Sequence, residues 1–244
     1  DIAERMVGDI DFIFLKEDYP KSITVLREFG YCEVEKREYY FPDLAKHYRR
    51  LQKKNKIAAI EIHSELLDIK KYANEFNYSF VEKDSQVING IAVLSYANKL
   101  NLSIIANQIN DSGFYYKTMA LRNAYDVFLL SKKTNTKAAL NSLNKLSHPL
   151  NCFLAACGEV FNKVETIEYI QNAKTALYLR NFNKQFNKPT KRQSKLIKIY
   201  LFIKIRLKII LKSIIYKEYR VWLFKRVTDK NWWKEKGIQL GIKQ

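Results

Sequence analysis

The feature that most constrains this chain is residues 8–15, Gly-Asp-Ile-Asp-Phe-Ile-Phe-Leu, where two acids stand at the start of an apolar run. Side chains two residues apart share one face of a β-strand, so Asp9 and Asp11 project together while Ile10 points away. Their Cα atoms then lie roughly 7 Å apart, which allows the pair to share a cation. Neighbouring carboxylates raise each other's pKa, and a metal ion relieves that cost. The pattern predicts a metal-binding strand or, alternatively, a strand start whose acids are simply hydrated.

A second apolar run, residues 56–63, carries an acid near its far end. By the same alternation Glu61 and His63 share one face, and the isoleucines beside them fill the other. A carboxylate between isoleucines needs water or a cation, because burying a bare charge is costly. If the two runs pair as neighbouring strands, Asp9, Asp11 and Glu61 converge. That arrangement is the one needed for metal-assisted phosphoryl transfer.

Four motifs follow one another over about residues 1–135. They are Arg5-x-x-Gly8-Asp9-Ile10-Asp11, Gly30-Tyr31, Ile60-Glu61-Ile62-His63 and, in a helical stretch, Leu121-Arg122-Asn123-Ala124-Tyr125-Asp126. Together they resemble the nucleotidyltransferase superfamily of the polymerase β type. The resemblance is closest to a poorly characterised bacterial branch with R-x-x-G-D-I-D and E-I-H signatures.

This resemblance implies a metal-dependent enzyme that moves an NMP from an NTP, such as ATP, to an acceptor hydroxyl and releases pyrophosphate. The implied catalytic and metal-binding residues are Asp9, Asp11 and Glu61, holding two Mg²⁺ ions or Mn²⁺ in their place. The implied nucleotide-binding residues are Arg5, Gly8 and His63. A sugar or antibiotic, a protein hydroxyl and an RNA end all remain open as acceptors, and so does the base of the NTP.

The predicted fold class is α+β: a small mixed sheet with flanking helices, followed by an all-helical C-terminal region. Residues 1–84 form the predicted catalytic core. It is expected to be incomplete at its N-terminus, because the family places a glycine-containing turn and a helix before the D-x-D strand. Residues 85–183 are predicted to be a helical region, and residues 184–244 a basic helical tail.

Within the core, the pattern predicts a helix that begins at Asp18 and ends at Gly30. It also predicts a half-exposed strand over residues 31–40 and a strand over 45–52 that forms a hairpin with the Glu61 strand. Near the hairpin turn lie five basic residues that either face a triphosphate or form a solvated tip: Arg49, Arg50, Lys53, Lys54 and Lys56. His47 lies in the strand predicted over residues 45–52, which borders the site in one interpretation, and the favoured interpretation of His47 itself is a surface histidine.

In the helical region, helical spacing of apolar residues begins with Val87, Ile91, Leu94 and Ala97 and is interrupted at residues 110–113. Further core positions are predicted at Leu140, Leu143, Leu146, Phe153, Val160 and Ile167. Residues 181–192 are polar and are predicted to form a linker. The unclustered Cys32, Cys152 and Cys157 are interpreted as buried thiols of a protein in a reducing cytoplasm, rather than as a disulfide framework or a zinc site.

The net charge of +18 lies mostly in the tail, because residues 184–244 hold 18 Lys and Arg against 3 Asp and Glu. A long helix is predicted over residues 195–216, too rich in lysine for an ordinary membrane span. Three interpretations stay open: a helix docked on the catalytic unit, an anionic membrane surface, or a nucleic acid held with Trp222, Trp232 and Trp233. The alternative function is therefore an inactive nucleotidyltransferase-fold protein, free or peripheral at the membrane, that binds anionic lipid or RNA through residues 190–244.

Overall fold

The structure is a computed structural model that describes residues 8–34, 46–67, 69–188 and 191–240. The chain divides into two compact units, residues 1–182 and residues 183–244. The first unit holds every strand of the described residues together with several helices, and the second is helical. The predicted α+β class, with a small sheet, flanking helices and a helical C-terminal region, is confirmed.

The main sheet has the strand order β1-β4-β3-β2. Its strands are β1 (Asp9–Ile13), β2 (Cys32–Glu33), β3 (Leu51–Gln52) and β4 (Ala59–His63). β1 runs parallel to β4, whereas β3 is antiparallel to both β4 and β2. The predicted pairing of the two acid-bearing strands and the predicted hairpin onto the Glu61 strand are therefore confirmed.

The strands around the hairpin are shorter than predicted. β3 has only two residues, and His47 adds an isolated bridge to His63. Of the strand predicted over residues 31–40, the structure gives β2 alone, and residues 35–45 lie outside the described residues.

Helix α1 (Tyr19–Glu28) packs on the sheet as the sequence predicts. Its Tyr19 and Ile23 are buried in one cluster with three sheet residues, Leu51, Ile60 and Ile62. The chain leaves the helix through Gly30, whose φ of +81° is a left-handed conformation that glycine adopts at little cost. This packing fixes which face of β4 turns inward.

The Glu33 carboxylate, on the edge strand β2, accepts hydrogen bonds from three side chains. Tyr48 Oη donates to Glu33 Oε1, Arg49 Nη1 lies 2.6 Å from Glu33 Oε2, and Arg27 Nη2 lies 2.7 Å from Oε1. The hydrogen bond from Tyr48, with those from Arg49 and Arg27, outweighs burial and lowers the pKa of Glu33 to about 2.

We expect Glu33 to make folding sensitive to acid. A carboxyl whose pKa falls on folding stabilises the fold above its unfolded pKa of 4.5, and that stability is lost as pH falls towards about 2. Glu33→Gln should remove this part of the pH dependence. The check is the urea midpoint from pH 7 down to pH 2, followed by circular dichroism, with the exposed Glu28→Gln as control. Equal acid sensitivity in the two variants would contradict the assignment.

The helical region begins with a β-hairpin, so the helix predicted from Val87 is wrong. β5 (Gln86–Ile88) and β6 (Ile91–Val93) are antiparallel and are joined by Asn89-Gly90. Both turn residues have positive φ, 51° and 79°, which is the requirement of a type I′ hairpin and the reason for Asn-Gly there. The helical spacing of the apolar residues is coincidental, because Val87 is 73% exposed and Ile91 is 58% exposed.

Helices make up the rest of the first unit. They are α2 (Lys70–Ala73), α3 (Tyr78–Glu82), α4 (Tyr96–Ile105) with a π-helical turn at Ala106–Asn110, α5 (Gly113–Tyr116), α6 (Leu121–Ser131), a 3₁₀ turn at Ala138–Leu140, α7 (Ser147–Val160) and α8 (Ala173–Asn187). The predicted break at residues 110–113 is confirmed by the left-handed Ser112. A second left-handed residue, Lys117, separates α5 from α6.

The main core lies among these helices. The predicted core positions Leu140, Leu143, Leu146, Phe153 and Ile167 are buried there, and Val160 is half-buried against a neighbouring cluster. Cys152 and Cys157 are buried as predicted, whereas the prediction is wrong for Cys32, which is exposed on the edge strand β2. Three hydrogen bonds connect segments that are far apart in the sequence. The Glu75 carboxylate accepts them from the backbone N–H groups of Asn144, Lys145 and Leu146, at 3.0, 3.0 and 3.1 Å. A negative charge is favourable at this point because α7 begins there.

The second unit contains α9 (Lys191–Ile215), α10 (Lys217–Thr228) and α11 (Lys230–Gln239). The predicted long basic helix is confirmed as α9. The predicted linker is wrong over residues 181–187, which belong to α8; polar residues such as Asn and Gln did not end that helix. Within the part of the chain that the structure describes, no helix is long and apolar enough to cross a membrane.

Candidate active site

The parallel pairing of β1 and β4 places their acids on one face of the sheet. Asp11 lies opposite Glu61, and Asp9 lies two residues earlier on the same face of β1. The burial of Ile60 and Ile62 beneath α1 turns Glu61 and His63 to the opposite side. The acidic face is thus a consequence of alternation in both strands together with the side on which α1 packs.

Three side chains form a compact cluster on this face. His63 Nε2 lies 2.9 Å from Asp11 Oδ1 and 3.7 Å from Glu61 Oε2, and one ligand atom of each residue lies within 4.8 Å of the others. The hydrogen bond from His63 lowers the pKa of Asp11, since it favours the charged carboxylate. Asp11 is exposed, whereas Glu61 and His63 are half-buried.

The donor set of this cluster fits a divalent cation. Two carboxylates supply the oxygen ligands that Mg²⁺ and Mn²⁺ prefer, while a nitrogen ligand from His63 favours a transition ion such as Mn²⁺ over Mg²⁺. The other ring nitrogen of His63, Nδ1, is buried and has no hydrogen-bond partner among the described residues. The imidazole can therefore either ligate the ion or orient the Asp11 carboxylate.

Arg50 brings a positive charge into the acidic face. Its Nη2 lies 2.8 Å from Asp9 Oδ2 and its Nε lies 3.1 Å from Glu61 Oε1, so one guanidinium bridges both carboxylates. Of the predicted acids, Asp11 and Glu61 join the cluster with His63, while Asp9 is held by Arg50. The guanidinium and a metal ion are alternative counter-charges for these acids.

We expect Arg50→Gln to bind Mn²⁺ several-fold more tightly than the unchanged chain. Removing the guanidinium leaves more negative charge on the acidic face and eliminates a competing cation. Isothermal titration with Mn²⁺ measures the change. Arg49→Gln is the matched control, because the neighbouring Arg49 forms an ion pair with Glu33 on β2. Unchanged or weaker Mn²⁺ binding in Arg50→Gln would show that the guanidinium does not compete with the ion.

The remaining predicted site residues are placed as follows. Gly8 directly precedes β1, and its carbonyl accepts the Ala59 N–H at 3.3 Å. A Cβ at Gly8 would meet no atom within 4 Å, so packing inside the chain does not require glycine there. Arg5 lies outside the described residues. The nucleotide-binding roles of Arg5, Gly8 and His63 stay predictions.

Sequence reasoning missed two residues of this face. Arg50 was one of five basic residues near the hairpin turn, with no means of telling which one faces the acids; the Leu51–Ile60 register places it opposite Glu61. His47 was interpreted as a surface histidine, yet its ring lies 5.1 Å from the His63 ring and its Nδ1 lies 4.0 Å from Glu61 Oε2. The register of the hairpin places both residues beside the acids, and only that register distinguishes them from their neighbours.

A family model described as "Uncharacterised nucleotidyltransferase" matches residues 1–159, which include both acid-bearing strands. The chain belongs to this nucleotidyltransferase family. The superfamily suggested by the motifs is therefore confirmed, and the match supports nucleotidyl transfer as the general activity. No curated protein and no solved structure matches the chain.

Proposed function

We propose that the chain is a metal-dependent nucleotidyltransferase that moves an NMP from an NTP to an acceptor hydroxyl. The observation that carries this proposal is the register that sets Asp11 opposite Glu61, with His63 in contact with Asp11. A family of nucleotidyltransferases needs divalent charge where the triphosphate binds, and this face offers the ligands for it.

Each residue of the face has a separate role in this proposal. Asp11 and Glu61 hold the ion or ions, Mn²⁺ or Mg²⁺, with His63 as third ligand or as the group that orients Asp11. Bound metal supplies neutralisation of the charge that builds up on the phosphoryl oxygens. Arg50 can leave the carboxylates for a phosphate oxygen of the NTP, since guanidinium binds both kinds of anion in the same geometry. Asp9 is then available as a further ligand.

The reaction forms one bond and breaks one bond. The acceptor oxygen attacks the α-phosphorus of the NTP, the bond from that phosphorus to the bridging oxygen breaks, and pyrophosphate leaves. The proton of the acceptor hydroxyl goes to a nearby base; Glu61, the least exposed of the three carboxylates, would take it if Glu61 does not hold an ion. Positioning and charge neutralisation supply most of the rate enhancement in such transfers.

Thermal unfolding with each of the four NTPs, with and without Mg²⁺ or Mn²⁺, tests this proposal. Ligand at about 100 times its Kd adds about 2.7 kcal/mol of stability, which is an easily measured shift. We expect a metal-dependent shift with at least one NTP, and we expect Asp11→Asn to lose it. The absence of a shift with every NTP would count against the proposal.

One observation favours the alternative of an inactive nucleotidyltransferase fold. Arg50 already neutralises Asp9 and Glu61 within the chain, so those acids are stable without a metal ion. An inactive protein would bind Mn²⁺ weakly and show no metal-dependent shift with NTP. The same titrations therefore discriminate between the two functions.

A further inference from the structure

Helix α9 carries a continuous apolar stripe that α10 and α11 leave exposed. Successive residues turn by about 100°, which places seven side chains within an arc of roughly 100° on one side of the helix. They are Leu196, Tyr200, Ile203, Leu207, Ile210, Leu211 and Ile214, each between 46% and 72% exposed. These seven residues are called the α9 stripe.

A neighbouring face of α9, centred about 100° from the middle of the stripe, makes the contacts to α10 and α11 described next. The Arg206 guanidinium lies 5.5 Å from the Trp222 ring of α10 and 5.0 Å from the Trp232 ring of α11. Arg220 donates to the carbonyl of Ser213 at 3.0 Å, and Ser213 is buried. Arg206 and Ser213 lie outside the arc of the α9 stripe, whose seven side chains stay between 46% and 72% exposed.

Basic residues accompany the stripe. Lys204 and Lys208 follow its edge on the helical wheel, and residues 184–244 as a whole carry 18 basic against 3 acidic residues. An exposed aliphatic face beside lysines is the pattern of a helix that lies in the interface of an anionic bilayer, with its lysine amino groups among the lipid phosphates. We propose that α9 docks through its stripe onto an anionic phospholipid surface.

The structure disfavours two other occupants of the stripe. A second copy of the chain would bring two strongly positive units face to face, which electrostatic repulsion opposes. Single-stranded nucleic acid would need exposed aromatic faces for stacking. Six of the seven residues of the α9 stripe are aliphatic, and Tyr200 is the one aromatic side chain among them.

Flotation of the full chain with phosphatidylcholine vesicles, with and without phosphatidylglycerol, tests the proposal. We expect binding only to the anionic vesicles and a decrease at high salt. The triple variant Ile203→Gln, Leu207→Gln and Ile214→Gln keeps the net charge and replaces exposed residues, so it should fold. Its partition onto anionic vesicles should be weaker by at least about tenfold, because three apolar side chains no longer enter the interface.

The matched control replaces three exposed apolar residues elsewhere in the unit: Ile205→Gln, Phe224→Gln and Val227→Gln, originally 53%, 71% and 56% exposed. It should bind anionic vesicles within about twofold of the unchanged chain, since it retains the stripe and the charge. Equal loss in both variants, or equal binding to neutral vesicles, would overturn the proposal.

Two further measurements detect the other occupants. Sedimentation equilibrium would reveal a dimer lost in the stripe variant, and anisotropy of a labelled single-stranded RNA would reveal nucleic-acid binding. A dimer without binding to anionic vesicles would identify a second copy of the chain as the occupant of the stripe. RNA binding without binding to anionic vesicles would identify nucleic acid as the occupant. Vesicle binding does not depend on catalysis, so the Asp11→Asn variant should bind vesicles normally even where it fails to bind NTP with metal.

Discussion

Asp11→Asn is expected to lower nucleotidyl transfer by more than about 100-fold, because loss of a group that only supports a metal ligand already costs about 10- to 100-fold. Asp11 is the acid of the face whose carboxylate contacts His63 and lies opposite Glu61. The amide keeps the shape of the side chain but carries no negative charge for a cation. The loss of activity in Asp11→Asn should therefore come from the missing metal ligand and not from a change in the fold.

Pyrophosphate release from each NTP, with Mn²⁺ and a panel of sugar, antibiotic, protein and RNA acceptors, measures this effect. Far-UV circular dichroism should show that Asp11→Asn is folded, since the side chain it replaces is exposed. Asp18→Asn is the matched control, because Asp18 precedes α1 and makes no capping bond with its side chain. Full turnover by Asp11→Asn would exclude the carboxylate from the metal-binding role.

Phe153→Ala should destabilise the first unit by about 3–5 kcal/mol, the range for removing a buried aromatic ring from a core. Phe153 lies on α7 with none of its surface exposed, in the same cluster as Leu100, Ile104 and Leu150. Removal of the ring leaves a cavity, and the close-packed helices around it can fill that cavity only partly. Such a loss is a large part of the stability of an ordinary domain.

Urea unfolding followed by far-UV circular dichroism measures this loss. The signal must be the backbone one, because Trp222, Trp232 and Trp233 all belong to the second unit and tryptophan fluorescence does not report on α7. Phe29→Ala is the control: its ring is 66% exposed, and surface substitutions usually change stability by less than about 0.5 kcal/mol. A similar urea midpoint for the two variants would mean that Phe153 is not part of a tightly packed core.

The two acid-bearing strands show how much of the site local sequence can determine. Alternation alone assigns Asp9 and Asp11 to one face of β1, and Glu61 and His63 to one face of β4. The motifs suggested the family, and the helix after β1 follows from proline and glycine at its ends. Each of these features depends on a few consecutive residues, so each can be predicted from a single sequence.

The hairpin at Asn89-Gly90 shows where periodicity fails. Apolar residues spaced by three and four predict a helix, but Val87 and Ile91 do not face a core at all. The Asn-Gly pair was the stronger signal, because both residues take a positive φ that a helix does not allow. Local turn chemistry prevailed over the apolar pattern.

The sequence by itself determined the acidic faces, the family motifs, the long basic helix and the concentration of charge in the tail. Only the tertiary structure decided that Arg50 bridges Asp9 and Glu61, that His47 lies beside His63, and that Arg206 lies close to the rings of both Trp222 and Trp232. Each of these is a contact between separate elements, and it depends on strand register or helix packing. Register and packing are set by burial across the whole unit, which no short stretch of sequence encodes.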